Sequence, residues 1–214
     1  MDKRGRLLKL SGLYPVSDPS LISYEELSFA LELMFHNGVT VFQLREKSKD
    51  KSLILQTCEH IRSLCDEYGA LFIVDDDVEF ALKVGADGVH IGKDDMSIEG
   101  ARIALGSDKI IGVSCYGDID RAIDMQKRGA DYVAFGAFYP SSTKPNAPVV
   151  DKRVLMNAKE LLDVPVCAIG GITDMNASEL LGVGADMVAV VSDLWRADDL
   201  RTKIENYRKI FNDR

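Results

Sequence analysis

Gly85-Ala86-Asp87-Gly88-Val89-His90-Ile91 closes one amphipathic stretch and opens a short apolar one. The same hinge returns as Gly129-Ala130-Asp131 and Gly184-Ala185-Asp186, with Asn37-Gly38-Val39 as an earlier version. Glycine suits the left-handed stop after a helix, and the apolar run that follows reads as a strand. The hinges recur about every 45 to 55 residues, enough for two strand–helix units per period. Working outward, strand candidates lie at Leu13–Val16, Val39–Leu44, Leu71–Val74, Gly88–Ile91, Ile110–Val113, Tyr132–Phe135, Val166–Ile169 and Met187–Val191. Helical patterns fill the gaps, among them Tyr24–Asn37, Lys51–Tyr68, Ile119–Arg128 and Asn176–Val183. Several strands are nearly continuous apolar runs, as expected when both faces of a parallel strand are covered. Eight alternating units predict an α/β fold, a single-domain (β/α)8 TIM barrel over residues 1–214. The rival is an open doubly wound sheet. No Gly-x-Gly-x-x-Gly follows the first strand, which counts against it.

The chain of 214 residues is 46% hydrophobic and 28% charged, ordinary values for a globular domain. A formal net charge of -8 argues against a nucleic-acid partner. It leaves room for small anions, because a local Arg/Lys pocket can hold phosphate on an acidic protein. No apolar run approaches a membrane span, and the N-terminal residues lack the pattern of a signal peptide. Cys58, Cys65, Cys115 and Cys167 show no metal-binding spacing and read as buried, reduced thiols of a cytoplasmic protein.

Active sites of such barrels sit at the carboxyl ends of the strands. After strand 2, Gln43, Arg45 and Lys47 alternate and so share one face, and Arg and Lys there suit a phosphate or diphosphate. Strand 3 runs into Asp75-Asp76-Asp77 and strand 4 into Gly92-Lys93-Asp94-Asp95. Carboxylates on neighbouring strand ends can hold Mg²⁺, a hard ion that prefers oxygen. The competing role is helix capping, and one of the three adjacent aspartates is expected to cap. Ser114 ends strand 5, where it can donate to a phosphate or cap the next helix. A long loop after strand 6 carries Ser141, Ser142, Thr143 and Lys144, groups that suit a phosphate grip. Gly170-Gly171 after strand 7, with Val191 and Ser192 after strand 8, form the usual barrel cup for a phosphate monoester.

Together these segments resemble the thiamine phosphate synthase family. The most specific are Gln43-Leu44-Arg45-Glu46-Lys47, Gly85 to Gly92, Gly112-Val113-Ser114 and Ser141-Ser142-Thr143-Lys144. The resemblance implies a transferase of thiamine biosynthesis. It would join hydroxymethylpyrimidine diphosphate to thiazole phosphate, giving thiamine phosphate and pyrophosphate by a Mg²⁺-dependent dissociative substitution. It further implies Asp76 and Asp95 as metal ligands, Arg45, Lys47, Ser114 and Lys144 on the pyrophosphate, and Gln43 on the aminopyrimidine. Thr143, Ser141, Gly171, Val191 and Ser192 would hold the thiazole phosphate. The two small molecules are the expected partners, and the sequence is compatible with a homodimer. Asp75 departs from the family's usual Asn: it would repel pyrophosphate unless protonated or drawn into the metal shell. Lys93, where Gln is common, could offset that charge. His90 reads as a packing residue. The alternative is a barrel resembling the TenI proteins, a thiazole tautomerase or regulatory protein. Those carry a His two positions after the Ser of Gly-Val-Ser, where this chain has Tyr116.

Overall fold

The computed structural model describes residues 3–48, 51–141 and 147–212. Eight parallel strands follow the chain: β1 (Gly12–Pro15), β2 (Val41–Leu44), β3 (Leu71–Asp75), β4 (Gly88–Ile91), β5 (Ile110–Tyr116), β6 (Tyr132–Phe135), β7 (Val166–Ile169) and β8 (Met187–Val190). From β2 to β8 each strand pairs with the next, and β8 pairs with β1. The ring closes where Val16 bridges Gln43 and the Ser17 N–H donates to the Gln43 carbonyl at 3.0 Å. The helices are α1 (Lys3–Leu7), α2 (Tyr24–His36), α3 (Leu55–Tyr68), α4 (Val78–Lys83), α5 (Ile98–Leu105), α6 (Ile119–Lys127), α7 (Arg153–Leu161), α8 (Ala177–Gly182), α9 (Ser192–Trp195) and α10 (Leu200–Asn212). The expected (β/α)8 TIM barrel is the observed fold.

Differences from the expected boundaries have local causes. Val39 lies in the turn that ends α2, not in β2, because its N–H bonds back to the Met34 carbonyl at 3.1 Å. The Lys51–Tyr68 pattern begins with a single 3₁₀ turn, Ser52–Ile54, before α3. Strand β5 continues to Tyr116 because a register shift between Ser114 and Tyr116 keeps it paired with β6.

Apolar side chains separate into two layers. Tyr14, Val41, Ile73, Ile110, Tyr132, Cys167, Met187 and Ala189 fill the barrel, while Leu31, Phe42, Ile61, Phe72, Leu155 and Leu180 pack sheet against helices. All four cysteines are free and buried, and burial pushes their thiols up to about 12. No helix among the described residues is long and apolar enough to cross a membrane.

The Gly-Ala-Asp hinges have a structural purpose beyond stopping helices. Each aspartate reaches from the start of an even strand to the backbone of the preceding odd one. Asp87 accepts from the Phe72 N–H at 2.9 Å, Asp131 from Ile111 at 2.9 Å and Asp186 from Val166 at 2.9 Å. A cation seals each carboxylate: Arg62 on Asp87 at 2.7 Å, Arg102 on Asp131 at 2.6 Å and Lys159 on Asp186 at 2.9 Å. Helix α1 adds Lys3 to Asp131 at 2.8 Å and Arg6 to Asp87 at 3.5 Å, and the buried Leu10 that follows it closes the amino end of the barrel. Removing a buried acceptor strands both the N–H and the cation. Asp131→Ala should therefore cost about 3 kcal/mol of unfolding free energy, read by urea denaturation. An unchanged midpoint would show that the hinge acts only as a helix stop.

Candidate active site

The carboxyl ends of β2, β3 and β4 form one charged cluster. Past Leu44 the chain keeps the strand's alternation, so Arg45 and Lys47 face the barrel mouth and Glu46 turns outward. Glu46 is buried, accepting from the Tyr24 hydroxyl and from the Ser48 N–H at 2.6 Å. Burial opposes its charge, but these donors outweigh it and hold the carboxyl below the usual range. Arg45 lies 3.4 Å from Asp18 and 3.8 Å from Asp75. Lys47 lies 3.0 Å from Asp75 and also pairs with Asp76.

The three aspartates after β3 have separate surroundings. Asp77 is the cap: its carboxylate accepts from the Phe80 N–H at 2.8 Å and pairs with Lys51. Asp75 is nearly enclosed, and burial, then the neighbouring Asp76 charge, pushes its carboxyl up against the pull of Lys47 and Arg45. Asp76 has a left-handed backbone, φ 62°, with Asp77 N–H bonded to Asp75 carbonyl at 2.8 Å across it. Its own N–H donates to the His90 carbonyl at 2.7 Å. Such a turn costs conformational energy for any residue but glycine and points the side chain where a relaxed strand end would not.

There Asp76 comes beside Asp95, and burial and the Asp76 charge push the Asp95 carboxyl up. Burial opposes ionisation of Asp76 too, but Lys47 and Asp95 hold it down. Asp95 is fixed from behind by the Gly92 N–H at 2.6 Å. Two carboxylates this close favour a shared proton or a cation. As an all-oxygen pair they fit Mg²⁺, which keeps much of its water shell. Among the described residues no group of three or more His, Cys, Asp or Glu is arranged around a metal, so the remaining oxygens would come from water and ligand. A cleft of about 430 Å³ opens here, lined in part by Lys47, Asp75, Asp76 and Asp95.

Several sequence-based expectations change. Lys93 is exposed and pairs with no carboxylate among the described residues; Lys47 and Arg45 supply the charge beside Asp75. Ser114 is not a cap, because Asp118 caps α6 and the Ser114 hydroxyl contacts His90 Nε2 at 2.9 Å. His90 accordingly does more than pack. Gln43 is buried, its amide donating to the Tyr14 hydroxyl at 2.9 Å. The sequence reading gave Tyr14, Tyr132, Glu46 and Asp18 no role in the site, although two tyrosines on inward strand positions are a signal for one.

Across the mouth, Gly171 has φ 64°, and a Cβ there would stand 2.4 Å from the Pro140 carbonyl. Only glycine lets the β6–α7 and β7–α8 loops approach this closely. Asn176 ties that loop down, donating to the Gly171 carbonyl at 3.1 Å. Val191 and Ser192 start α9, and the adjacent Asp193 is turned away, held by Tyr207 at 2.8 Å and Lys203 at 3.3 Å. Ser141 lies at the edge of the described residues, whereas Ser142, Thr143 and Lys144 fall outside them.

A parallel barrel with acidic, basic and amide groups gathered at its carboxyl face defines an enzyme of the (β/α)8 class. A family profile described as thiamine monophosphate synthase matches residues 13–194. The chain is 44% identical over 203 residues to a thiamine-phosphate synthase of Thioalkalivibrio sulfidiphilus, covering 95% of this chain and 96% of that one. It is 40% identical to one from Nitrosococcus oceani, covering 94% and 93%. A solved thiamine phosphate pyrophosphorylase from Pyrococcus furiosus superposes with a TM-score of 0.86 at 36% identity, covering 97% and 98%. The chain belongs to the thiamine monophosphate synthase family, and it is a transferase.

Because Glu46 is held below its ordinary range, its stabilising bonds are present at neutral pH and lost as pH falls through its folded-state value. Tyr24→Phe should cost about 1.5 kcal/mol at pH 7. The cost should shrink as pH falls through that lowered folded-state value and Glu46 takes up a proton. A pH-independent cost would mean that Tyr24 acts by packing alone.

Proposed function

We propose that this enzyme joins hydroxymethylpyrimidine diphosphate to thiazole phosphate. The bond between the pyrimidine methylene carbon and the diphosphate oxygen breaks, and its electron pair leaves with pyrophosphate. The thiazole nitrogen lone pair then forms the new carbon–nitrogen bond, so no general base is needed. The products are thiamine phosphate and pyrophosphate. The observation that carries this reading is the pairing of Asp76 with Asp95 beside Lys47 and Arg45, at one side of a mouth whose other side carries the Gly171 loop. The names of the full-length relatives support it.

In this reading Asp76 and Asp95 hold Mg²⁺, whose chemistry is to stabilise the negative charge gathering on the departing diphosphate. Lys47 and Arg45 pair with the carboxylates of the mouth and are the groups at hand to take up diphosphate oxygens. Ser114 donates to the same group, and Lys144 joins them from the loop. Gln43, with its amide nitrogen held by Tyr14, offers its carbonyl oxygen to the amino group of the pyrimidine. Gly171, Val191 and Ser192, with Ser141 and Thr143, hold the thiazole phosphate and align the nucleophile. A regulatory or tautomerase barrel would have little use for the strained Asp76 opposite Asp95.

Asp95→Ala should abolish Mg²⁺-dependent formation of thiamine phosphate from the two purified substrates while the far-ultraviolet spectrum and melting stay near wild type. Wild-type turnover that persists in EDTA would remove the metal assignment. No product from the wild type, with thiazole phosphate still bound, would favour the regulatory reading. Asp75→Asn should tighten pyrophosphate binding by on the order of tenfold, since it removes a buried negative charge near the ligand. Weaker binding in calorimetry would make Asp75 itself a ligand.

A further inference from the structure

A continuous line of polar contacts crosses the barrel beneath the site. Gln43 Nε2 meets the Tyr14 hydroxyl at 2.9 Å, and Tyr14 meets the Tyr132 hydroxyl at 2.8 Å. Tyr132 meets His90 Nδ1 at 2.9 Å, and His90 Nε2 meets Ser114 Oγ at 2.9 Å. Gly112 makes room for it: a Cβ there would stand 2.0 Å from the Tyr132 ring. Burial holds both phenols far above the ordinary tyrosine range, so both keep their protons.

The donors along this line are not free to choose. An amide nitrogen only donates, so Tyr14 must accept from Gln43, and its own proton has Tyr132 as its partner. Tyr132 accepts that proton and passes its own to His90 Nδ1. His90 therefore carries its hydrogen on Nε2 and donates it to Ser114, whose own proton is left to point at the mouth. At the other end, the Gln43 carbonyl oxygen is left to accept.

We propose that Tyr14, Tyr132 and His90 are positioning residues, a one-way hydrogen-bond chain that makes Ser114 a donor to an anionic ligand and Gln43 an acceptor. The functional half rests on the reading of Ser114 as a diphosphate contact. The hydrogen-bond order itself requires no ligand.

The ¹⁵N spectrum of the ligand-free protein, which has 3 histidines, decides the order directly. His90 is expected as the Nε2–H tautomer, and Tyr132→Phe should shift it toward Nδ1–H. An Nδ1–H tautomer in the wild type would mean the chain runs the other way and overturns the proposal. Calorimetry with pyrophosphate and Mg²⁺ tests the consequence. Tyr132→Phe and Ser114→Ala should each weaken binding about tenfold, and the double variant no further than either alone. Thiazole phosphate affinity should stay within about twofold of wild type. Additive losses, or equal weakening of both ligands, would show a merely structural tyrosine and overturn the positioning role. A wild type that binds no pyrophosphate would overturn the reading of the site, while the spectrum would still decide the order of the chain.

Discussion

A polar side chain that points into a closed barrel has left water and must find its partner on another strand. Much of this structure follows from that requirement. Gln43, Tyr14, Tyr132, His90 and Ser114 come from β2, β1, β6, β4 and β5, and none could be buried there alone without a cost of several kcal/mol. Linked, they form a continuous polar floor, whose donors and acceptors run one way on the order proposed above. Above this floor the charges are arranged on the same principle. Each carboxylate that would repel its neighbour is paired with a cation or a backbone N–H.

The two ends of the barrel use aspartate in opposite ways. At the amino end, Asp87, Asp131 and Asp186 each join a backbone N–H to a basic side chain and so tie strands and helices together. At the carboxyl end, Asp76 is held in a left-handed turn beside Asp95, with Lys47 on Asp76 and the Gly92 N–H on Asp95. The first arrangement stabilises the fold, whereas the second is the one proposed to bind. The separation lets strain at the mouth coexist with a rigid base.

Much of the fold was legible in the residues. The Gly-Ala-Asp hinges, the β-branched runs and the alternation with amphipathic stretches led to eight strands, and β4, β6 and β7 fell at their expected limits. Boundaries moved where a backbone bond outranked apolar pattern, as at Val39, or where a bulge extended pairing, as at Tyr116. The location of the charged cluster was legible too, because period-two geometry places Gln43, Arg45 and Lys47 on one face. The partnerships were not. Which aspartate caps, that Lys93 stands apart from Asp75, and that His90 joins Tyr132 to Ser114 depend on distances between elements far apart in sequence. The hinge aspartates gave a fold signal without revealing their bond to the neighbouring strand.

On the proposed function, Asp76 and Asp95 would share a divalent cation facing a diphosphate. Anomalous diffraction from crystals grown with Mn²⁺, as a stand-in for Mg²⁺, and pyrophosphate would test it most directly. A single strong peak in contact with both carboxylates and with pyrophosphate oxygens is expected. Pyrophosphate bound with no metal between Asp76 and Asp95, or a metal bound elsewhere on the barrel face, would contradict it.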